Sequence, residues 1–400
     1  MNKISSNLLK NNKLIYLLHS FIFQIGRTLP HAILVIFLVN KFQANSSIVL
    51  ALQLSFYAAI FCFEIPSGFL SDIFNRKKIF LTAVILMIVA FPLIGFANWL
   101  WLVFVGQFIY GIADALSSGT IEISILEQYQ NDQEVKKLLT QKRMTFFAAA
   151  IIGGGLGPIL FNLINNYLYL VSTLCFGLSL IIGFFIIVRE DPKVNEKVKI
   201  KKQLKENIKL NFSYFKNKNY SLLFIAILAP IFIFGVFYNY WPIFYQDQKL
   251  DSQWFGLIYV ILQIIGLISA YLNQKIPTKK ILIISCAILG GMIFILSLIF
   301  LNGWSFMIIF PCFLFFANYY AFETNNLFYK KLNHKTSSSQ ISILSSISSL
   351  MSFLIYLILF IFSLQINIYV ASIIGASLFI LIAFFSLIFV KVNDKLSNQN

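Results

Sequence analysis

Five ionisable side chains stand where an apolar chain tolerates charge least: Arg27, Glu64, Asp114, Glu122 and Glu323 all fall inside long apolar segments. A charge at the centre of a bilayer costs about 2.5 to 3.5 kcal/mol on insertion scales, so such groups face a cavity, pair with one another or bind protons. Arg27 is central to the first apolar segment and Asp114 to the fourth, which sets both at about the same depth. Equal depth would let the two pair if their segments are neighbours, either beside a cavity or as a tie that only locks two helices together. His31 follows Arg27 by four residues, one helical turn. It would give the first segment a cationic face suited to an anionic or zwitterionic ligand, or it is a satisfied polar histidine. Glu64, Asp114 and Glu323 are the candidates for binding a proton, since burial and neighbours tune carboxyl groups across wide ranges. Glu122 and Glu127 would line an inner funnel.

Aromatic residues gather in the first, fourth, seventh and tenth apolar segments: Phe37, Tyr110, then Phe237, Tyr238, Tyr240 and Trp241 around Asn239, then Tyr319, Tyr320 and Phe322. Such rings could stack on a flat apolar compound. With 44 phenylalanines in the chain, lipid-facing packing is the ordinary role of any one of them. Cys62, Cys175, Cys286 and Cys312 stand singly in apolar segments, where they read as small core residues rather than a disulfide framework or metal site. The sequence contains no phosphate-binding GxxxxGKS/T loop, nucleophile triad or metal cluster, so neither ATP-driven pumping nor soluble-type catalysis is supported and no cofactor is implied.

What must position these residues is set by the solvent the chain prefers. Hydrophobic residues make up 59% of its 400 positions and charged ones 12%, a balance that places most of the chain in lipid. A helix crossing about 30 Å of hydrocarbon needs about 20 apolar residues. Twelve segments of that kind run approximately 14 to 39, 48 to 70, 79 to 97, 100 to 126, 144 to 165, 167 to 188, 219 to 245, 253 to 272, 281 to 301, 304 to 329, 338 to 363 and 368 to 390. The first continues well past the core of a signal peptide and lacks a small-residue cleavage site, so it is expected to stay as a helix.

The net charge of +16 is not spread evenly. With the amino terminus in the cytoplasm, 28 of the 31 Lys and Arg fall in inner segments, leaving Lys41 and Lys249 outside and Arg27 within the first segment. That asymmetry predicts cytoplasmic termini and argues against nucleic acid as the partner of the basic charge. Residues 189–218 hold ten basic and four acidic residues and divide the segments six and six, giving a bundle over 1–188, a basic cytoplasmic linker and a second bundle over 219–400. Within the linker, Ile200, Leu204 and Ile208 recur among lysines and Lys202 can pair with Glu206, as in a helix resting on an anionic inner leaflet. A solvated linker is the plainer reading. The halves echo one another faintly: Pro30 and Pro242 each follow a polar residue, Arg27 and Asn239, by three; Trp101 and Trp304 open their segments; Thr120 precedes Glu122 as Thr324 precedes Asn326.

One motif carries more. The second segment runs into the first inner loop as Glu64, Ile65, Pro66, Ser67, Gly68, Phe69, Leu70, Ser71, Asp72, Ile73, Phe74, Asn75, Arg76, Lys77, Lys78. Gly68, Asp72 and Arg76 are four apart and form one stripe on a continuing helix, with glycine permitting close approach of a neighbour. The spacing of Gly68, Leu70, Asp72, Arg76 and Lys77 resembles the loop motif between helices two and three of the major facilitator superfamily. The Glu-Ile-Pro-Ser-Gly run resembles bacterial members that carry Glu-Ile-Pro-Thr-Gly there. Ile73 stands where the family has a basic residue. Asn75 replaces a glycine, asparagine being tolerant of the left-handed conformation such a turn needs. Gly153, Gly154, Gly155, Gly157 and Pro158 resemble the glycine and proline cluster of the exporters' fifth helix, with Phe161 and Asn162 in place of its final glycines. Gln107 stands where the family's fourth helix often has arginine. The loop from Asn273 to Lys280 keeps basic residues without the motif's aspartate.

The resemblance implies an all-α integral membrane protein with twelve transmembrane helices in two six-helix bundles, the major facilitator fold. It makes the first and fourth helices neighbours in the amino-terminal bundle, so that Arg27 and Asp114 are expected to pair beside the substrate cavity, and it implies a gating latch, with Asp72 against the amino terminus of the eleventh helix near Ser337. The expected activity is non-enzymatic: a secondary transporter in a bacterial cell membrane, a monomer that exports small hydrophobic or amphipathic compounds in exchange for protons by alternating access. Uptake of a polar metabolite or organic anion is the first alternative, favoured by Arg27 and His31. A sensor or lipid scramblase that transports nothing is the alternative of another class.

Overall fold

In the computed structural model, placement is described for residues 6–31, 33–73, 75–117, 121, 124–125, 128–129, 132–188, 218–249, 254–276, 279–331, 337–363 and 367–390, with the side chains of 6–10, 68–73 and 337–347 among those outside that description. The regular elements there are helical. In order they are α1 (Ser6–Thr28), α2 (Leu34–Phe42), α3 (Ser46–Ile73), α4 (Arg76–Gly95), α5 (Leu100–Ser117), α6 (Asp132–Ile164), α7 (Leu168–Phe184), α8 (Lys218–Asp247), α9 (Phe255–Lys275), α10 (Lys280–Phe300), α11 (Gly303–Ile309), α12 (Cys312–Lys331), α13 (Ser337–Ser363) and α14 (Ile368–Phe389). Helices suit lipid because they satisfy every interior N–H and C=O within one segment. Their outer surfaces are apolar: Ile281, Phe300 and Leu163 expose 79%, 73% and 72% of their areas, which water would penalise and acyl chains would not.

Two proline-containing segments are broken. The helix stops after Thr28 and α2 begins at Leu34, and between them Ile33 and Leu34 both donate to the Pro30 carbonyl at 3.1 and 2.9 Å. Proline removes an N–H and its ring clashes with the carbonyl four residues earlier, so the break keeps the backbone satisfied by tight local bonds. Pro311 separates α11 from α12 in the same manner, Leu314 donating to its carbonyl at 3.1 Å. Pro230 and Pro242 lie inside the unbroken α8, so Pro30 and Pro242 do not act alike despite their similar sequence setting. Asn75 sits at φ −59°, ψ 121° and caps α4, its Oδ1 accepting from the Lys77 N–H at 2.8 Å. The left-handed turn expected there is not what forms, because asparagine offers an N-cap oxygen that glycine lacks.

The chain groups into two compact units, one of Met1–Lys193 with Asp251–Ile264, the other of Val194–Leu250 with Ile265–Asn400. In the first, α1 packs on α6 and α7, and α4 on α5 and α7, while α3 lies along α5. In the second, α8 packs on α12, α13 and α14, and α10 on α12 and α14. The pairings α1·α7, α4·α5 and α4·α7 thus recur as α8·α14, α10·α12 and α10·α14, the pattern of a duplicated bundle.

Among the described residues, nine stretches are long and apolar enough to cross a membrane. The multi-pass character expected from composition holds at that count. α1 falls short because Lys10, Asn11, Asn12, Lys13 and Arg27 dilute it; of α13, the described part Ser348–Ile361 is apolar. Gln141–Phe184 is continuous in hydropathy although a 3-10 turn at Asn165–Tyr167 divides it. The cysteines are free, as expected, but Cys62 and Cys312 are exposed, not core residues; only Cys286 is buried. On a lipid-facing surface a thiol has nothing polar to avoid.

Candidate functional site

The break after Thr28 puts Arg27 in the last turn of α1. Its Nη1 meets Asp114 Oδ1 of α5 at 2.9 Å, and its Nε donates to the Tyr110 hydroxyl, one turn earlier on α5, at 3.0 Å. The guanidinium also lies over two rings, 5.4 Å from the Tyr110 centroid and 6.0 Å from that of Phe23 on its own helix. Aromatic faces attract such a cation, more strongly where water is scarce. Tyr110 is in turn held by Phe56 of α3 and Phe91 of α4, at 4.7 and 5.4 Å between ring centroids, and Phe91 and Phe23 both abut Phe176 of α7. Five helices therefore position one ion pair.

The pair is not sealed. Arg27 and Asp114 keep 24% and 26% of their side-chain areas exposed. A guanidinium has five N–H donors; among the described residues two are used, leaving the Nη2 group and one Nη1 hydrogen without protein acceptors. This geometry offers a cationic fork, an adjacent carboxylate and an aromatic wall at one place.

Small residues bring the helices to that separation. A Cβ at Gly111, one residue after Tyr110, would collide with the Phe56 carbonyl and lie 2.7 Å from the Ala59 Cβ. On α6, a Cβ at Gly157 would collide with the Leu29 carbonyl, and one at Gly153 would strike Thr28 Oγ1 and approach the Ile25 carbonyl to 2.9 Å. The glycine run of α6 is thus seated on the backbone of α1 beside the break. Its other face meets the start of α9 within the same unit, where Gly154 abuts Tyr259 and Gly155 abuts Val260.

His31 is exposed in the turn, its ring 5.9 Å from that of Tyr259. The helical register that would stack it over Arg27 is interrupted at residues 29–33, so the two do not share a helix face. Glu64 is buried on α3, with its carbonyl accepting from Ser67 Oγ at 2.8 Å. Arg76 donates to Ser124 Oγ at 3.3 Å, and Lys77 Nζ donates to the Phe184 carbonyl at the end of α7 at 2.6 Å. Gly68 and Asp72 are on α3, but their side-chain environment lies outside the described residues, as do Glu122, Glu127, the linker helix and the latch at Ser337.

The second unit holds its own polar group. Glu323 of α12 is 1% exposed; its Oε1 accepts from Asn273 Nδ2 of α9 at 2.7 Å, and Asn273 Oδ1 accepts from Asn326 Nδ2 at 2.9 Å. Tyr319, one turn before Glu323, is also buried. Tyr240 and Trp241 are each 1% exposed in the packing of α8, as are most of the expected cavity aromatics; Tyr238 is the exposed one of that run. Asn239 is on α8, with its side chain outside the description. Phe23 and Asn273 were not singled out from sequence. Phe23 stands four residues before Arg27, a spacing that could have marked it; Asn273, followed by Gln274 and Lys275 at the polar end of α9, carried no such signal.

An all-helical chain with many apolar spans and a charge pair inside one of its helical units is a multi-pass membrane protein whose polar interior calls for a ligand or a partner. The chain belongs to the Major Facilitator Superfamily, whose sequence model matches residues 16–354. It is therefore a membrane transporter and not an enzyme. Among curated proteins none matches it in sequence. Solved structures share its fold. A POT family transporter in complex with a thioalcohol-conjugated peptide superposes with a TM-score of 0.77 at 13% identity, covering 96% of this chain and 97% of that one. The nucleoside transporter NupG gives 0.75 at 13% identity, over 95% and 100%. A bacterial homologue of the human lysosomal transporter Spinster, inward-facing and unoccupied, gives 0.71 at 13%, over 96% of each chain.

Proposed function

We propose that this protein is a proton-coupled secondary transporter that exports small hydrophobic or amphipathic compounds by alternating access. In this reading twelve helices cross a bacterial cell membrane in two bundles, residues 1–188 and 219–400, joined by a basic linker on the anionic inner leaflet, with both termini cytoplasmic. The observation that carries it is the Arg27–Asp114 pair, a quarter exposed and walled by Tyr110 and Phe23. A charge pair that only locked two helices would be stronger sealed from water; an accessible one beside aromatic faces suits a compound with both an apolar and a polar part. Glu64, Asp114 and Glu323 are the candidate proton carriers, and a proton crossing gains about 2.3 kcal/mol per 100 mV, enough to bias a transport cycle. Gly68, Asp72, Arg76 and Lys77 would gate the inner side.

Uptake of a polar metabolite or organic anion is the second reading, favoured by the unused Nη2 donors of Arg27, which match a carboxylate or phosphate fork. Both readings are tested together. Purified protein is screened with amphipathic cations, neutral aromatics and organic anions by thermal shift, and hits are followed into proteoliposomes under an imposed pH gradient. The export reading expects amphipathic hits that accumulate against their gradient only when the pH gradient opposes them. Hits confined to anions favour the second reading, hits that only run down their own gradient remove proton coupling, and no movement of any hit would count against transport.

A further inference from the structure

The carboxyl of Glu323 has one oxygen satisfied and one not. Oε1 takes the Asn273 amide, whereas Oε2 is fully buried and has no hydrogen-bond partner. The Tyr319 hydroxyl, one helical turn away and within electrostatic reach of that carboxylate, is likewise buried without a partner. Two buried, orphaned oxygens one turn apart on the same helix are costly unless something else completes them: each unsatisfied buried polar group costs about 1 to 3 kcal/mol, more where charge is involved. The neighbouring amides hold the carboxylate in place through their N–H donors. Asn273 Oδ1 and the Asn326 amide continue the chain of hydrogen bonds from α9 to the next turn of α12, and α9 is tied to α12 again by Ser269 Oγ donating to the Phe315 carbonyl at 3.0 Å. Among the described residues no cationic side chain pairs with Glu323. Lys275, the nearest in sequence to Asn273, stacks over the Tyr271 ring at 4.6 Å. Among the described residues, the titratable groups facing the carboxylate are the Tyr319 phenol from its own helix and the Cys286 thiol from α10.

We propose that Glu323 and Tyr319, with the carboxylate positioned by Asn273 and Asn326, form a binding site for a single small monovalent cation, a proton or a sodium ion, inside the second unit. A negative charge, an uncharged phenol oxygen and a buried setting suit a hard cation, and among the described residues no lysine or arginine takes that role. A proton would add to Oε2 and give it a hydrogen to donate; a sodium ion would bridge Oε2 and the Tyr319 oxygen. The inference deepens the transport reading by placing the coupling ion in the second unit, apart from the substrate-facing Arg27 and Asp114 of the first.

The test uses the purified full-length protein with no substrate present. Dicyclohexylcarbodiimide reacts with carboxyl groups that hold a proton in apolar surroundings, and peptide mass spectrometry locates the adduct. Modification of Glu323 is expected to fall about tenfold per pH unit once the site empties, as binding of one proton requires. Sodium chloride, against choline chloride at equal ionic strength, separates the ions: suppression by sodium assigns a sodium site, and pH dependence indifferent to sodium assigns a proton site. Asn273→Ala, which removes the Oε1 donor, is expected to displace the midpoint, and Tyr320→Phe, whose hydroxyl bonds instead to the Ala226 carbonyl, to leave it in place. Modification absent at every pH, or flat in both pH and sodium, overturns the proposal. The wild-type protein carries the main readout, so a variant that fails to fold does not decide the outcome. Because no substrate is involved, an ion site can stand while transport fails in liposomes, or the reverse.

Discussion

Arg27 has more donors than its protein partners use, and that surplus separates a binding group from a structural tie. If the pair only joined α1 to α5, Arg27→Gln or Asp114→Asn would each leave an uncompensated charge and cost about 3 to 5 kcal/mol, and the double substitution would recover both stability and transport. For a substrate-binding pair the expectation differs: the double variant regains its melting temperature while liposome transport stays absent. Tyr110→Phe removes the hydroxyl bonded to Arg27 Nε but keeps the ring beneath the guanidinium. A hydrogen bond to a charged group contributes about 1.5 to 3 kcal/mol, so ligand affinity in a thermal-shift titration is expected to weaken by at least about tenfold with the fold retained. The meeting of Arg27 with Asp114 was legible in the sequence because charge in an apolar segment is conspicuous, depth can be counted from segment ends, and the family resemblance makes the first and fourth helices neighbours. The Asn273 to Glu323 bond was not, because an uncharged amide in a helix carries no such signal and its partner is 50 residues away.

The elements hold this site through backbone contact more than through side chains. Gly157 seats α6 against the Leu29 carbonyl, two residues from Arg27, with no room for a methyl group. Gly157→Ala must push the helices apart, at a cost of about 1 to 3 kcal/mol for overpacking, and is expected to lower both the melting temperature and ligand affinity. Gly177→Ala on α7 provides the contrast, since a Cβ there meets nothing within 4 Å. Relative to glycine, alanine favours a helix by about 0.8 to 1 kcal/mol, so the melting temperature should hold or rise. Element positions followed from hydropathy, which locates lipid-compatible stretches within a few residues. Element continuity did not. Pro30 and Pro311 break their helices whereas Pro230 and Pro242 do not, since neighbouring helices can re-satisfy a freed carbonyl and the sequence does not say where they pack.

At the scale of the whole chain, the two units reuse one plan down to single bonds. Lys77 at the start of α4 donates to the Phe184 carbonyl at the end of α7, and Lys280 at the start of α10 donates to the Ile388 and Val390 carbonyls at the end of α14, at 2.7 and 3.0 Å. Both lysines lie where the negative end of a helix gathers orphan carbonyls. The duplicated pairings give meaning to the faint echoes between the halves, which no single residue match could carry. They also bear on the number of crossings. Gln141–Phe184 is 44 residues long, about 66 Å if fully helical, or about twice the thickness of a hydrocarbon core; the 3-10 turn at Asn165–Tyr167 lies where such a run would reverse. If it crosses once, five of the nine spans separate Lys41 from Lys249 and the two lie on opposite sides; if twice, six separate them and they lie on the same side. In a background with Cys62, Cys175, Cys286 and Cys312 replaced by alanine, Lys41→Cys and Lys249→Cys, both exposed positions, are expected to react with a membrane-impermeant maleimide on intact cells. Arg143→Cys, exposed at the start of the run, should react only after permeabilisation. Opposite behaviour of Lys41→Cys and Lys249→Cys would reduce the run to one crossing and break the symmetry of the halves, while reaction of Arg143→Cys from outside would invert the topology that the lysine and arginine distribution predicts.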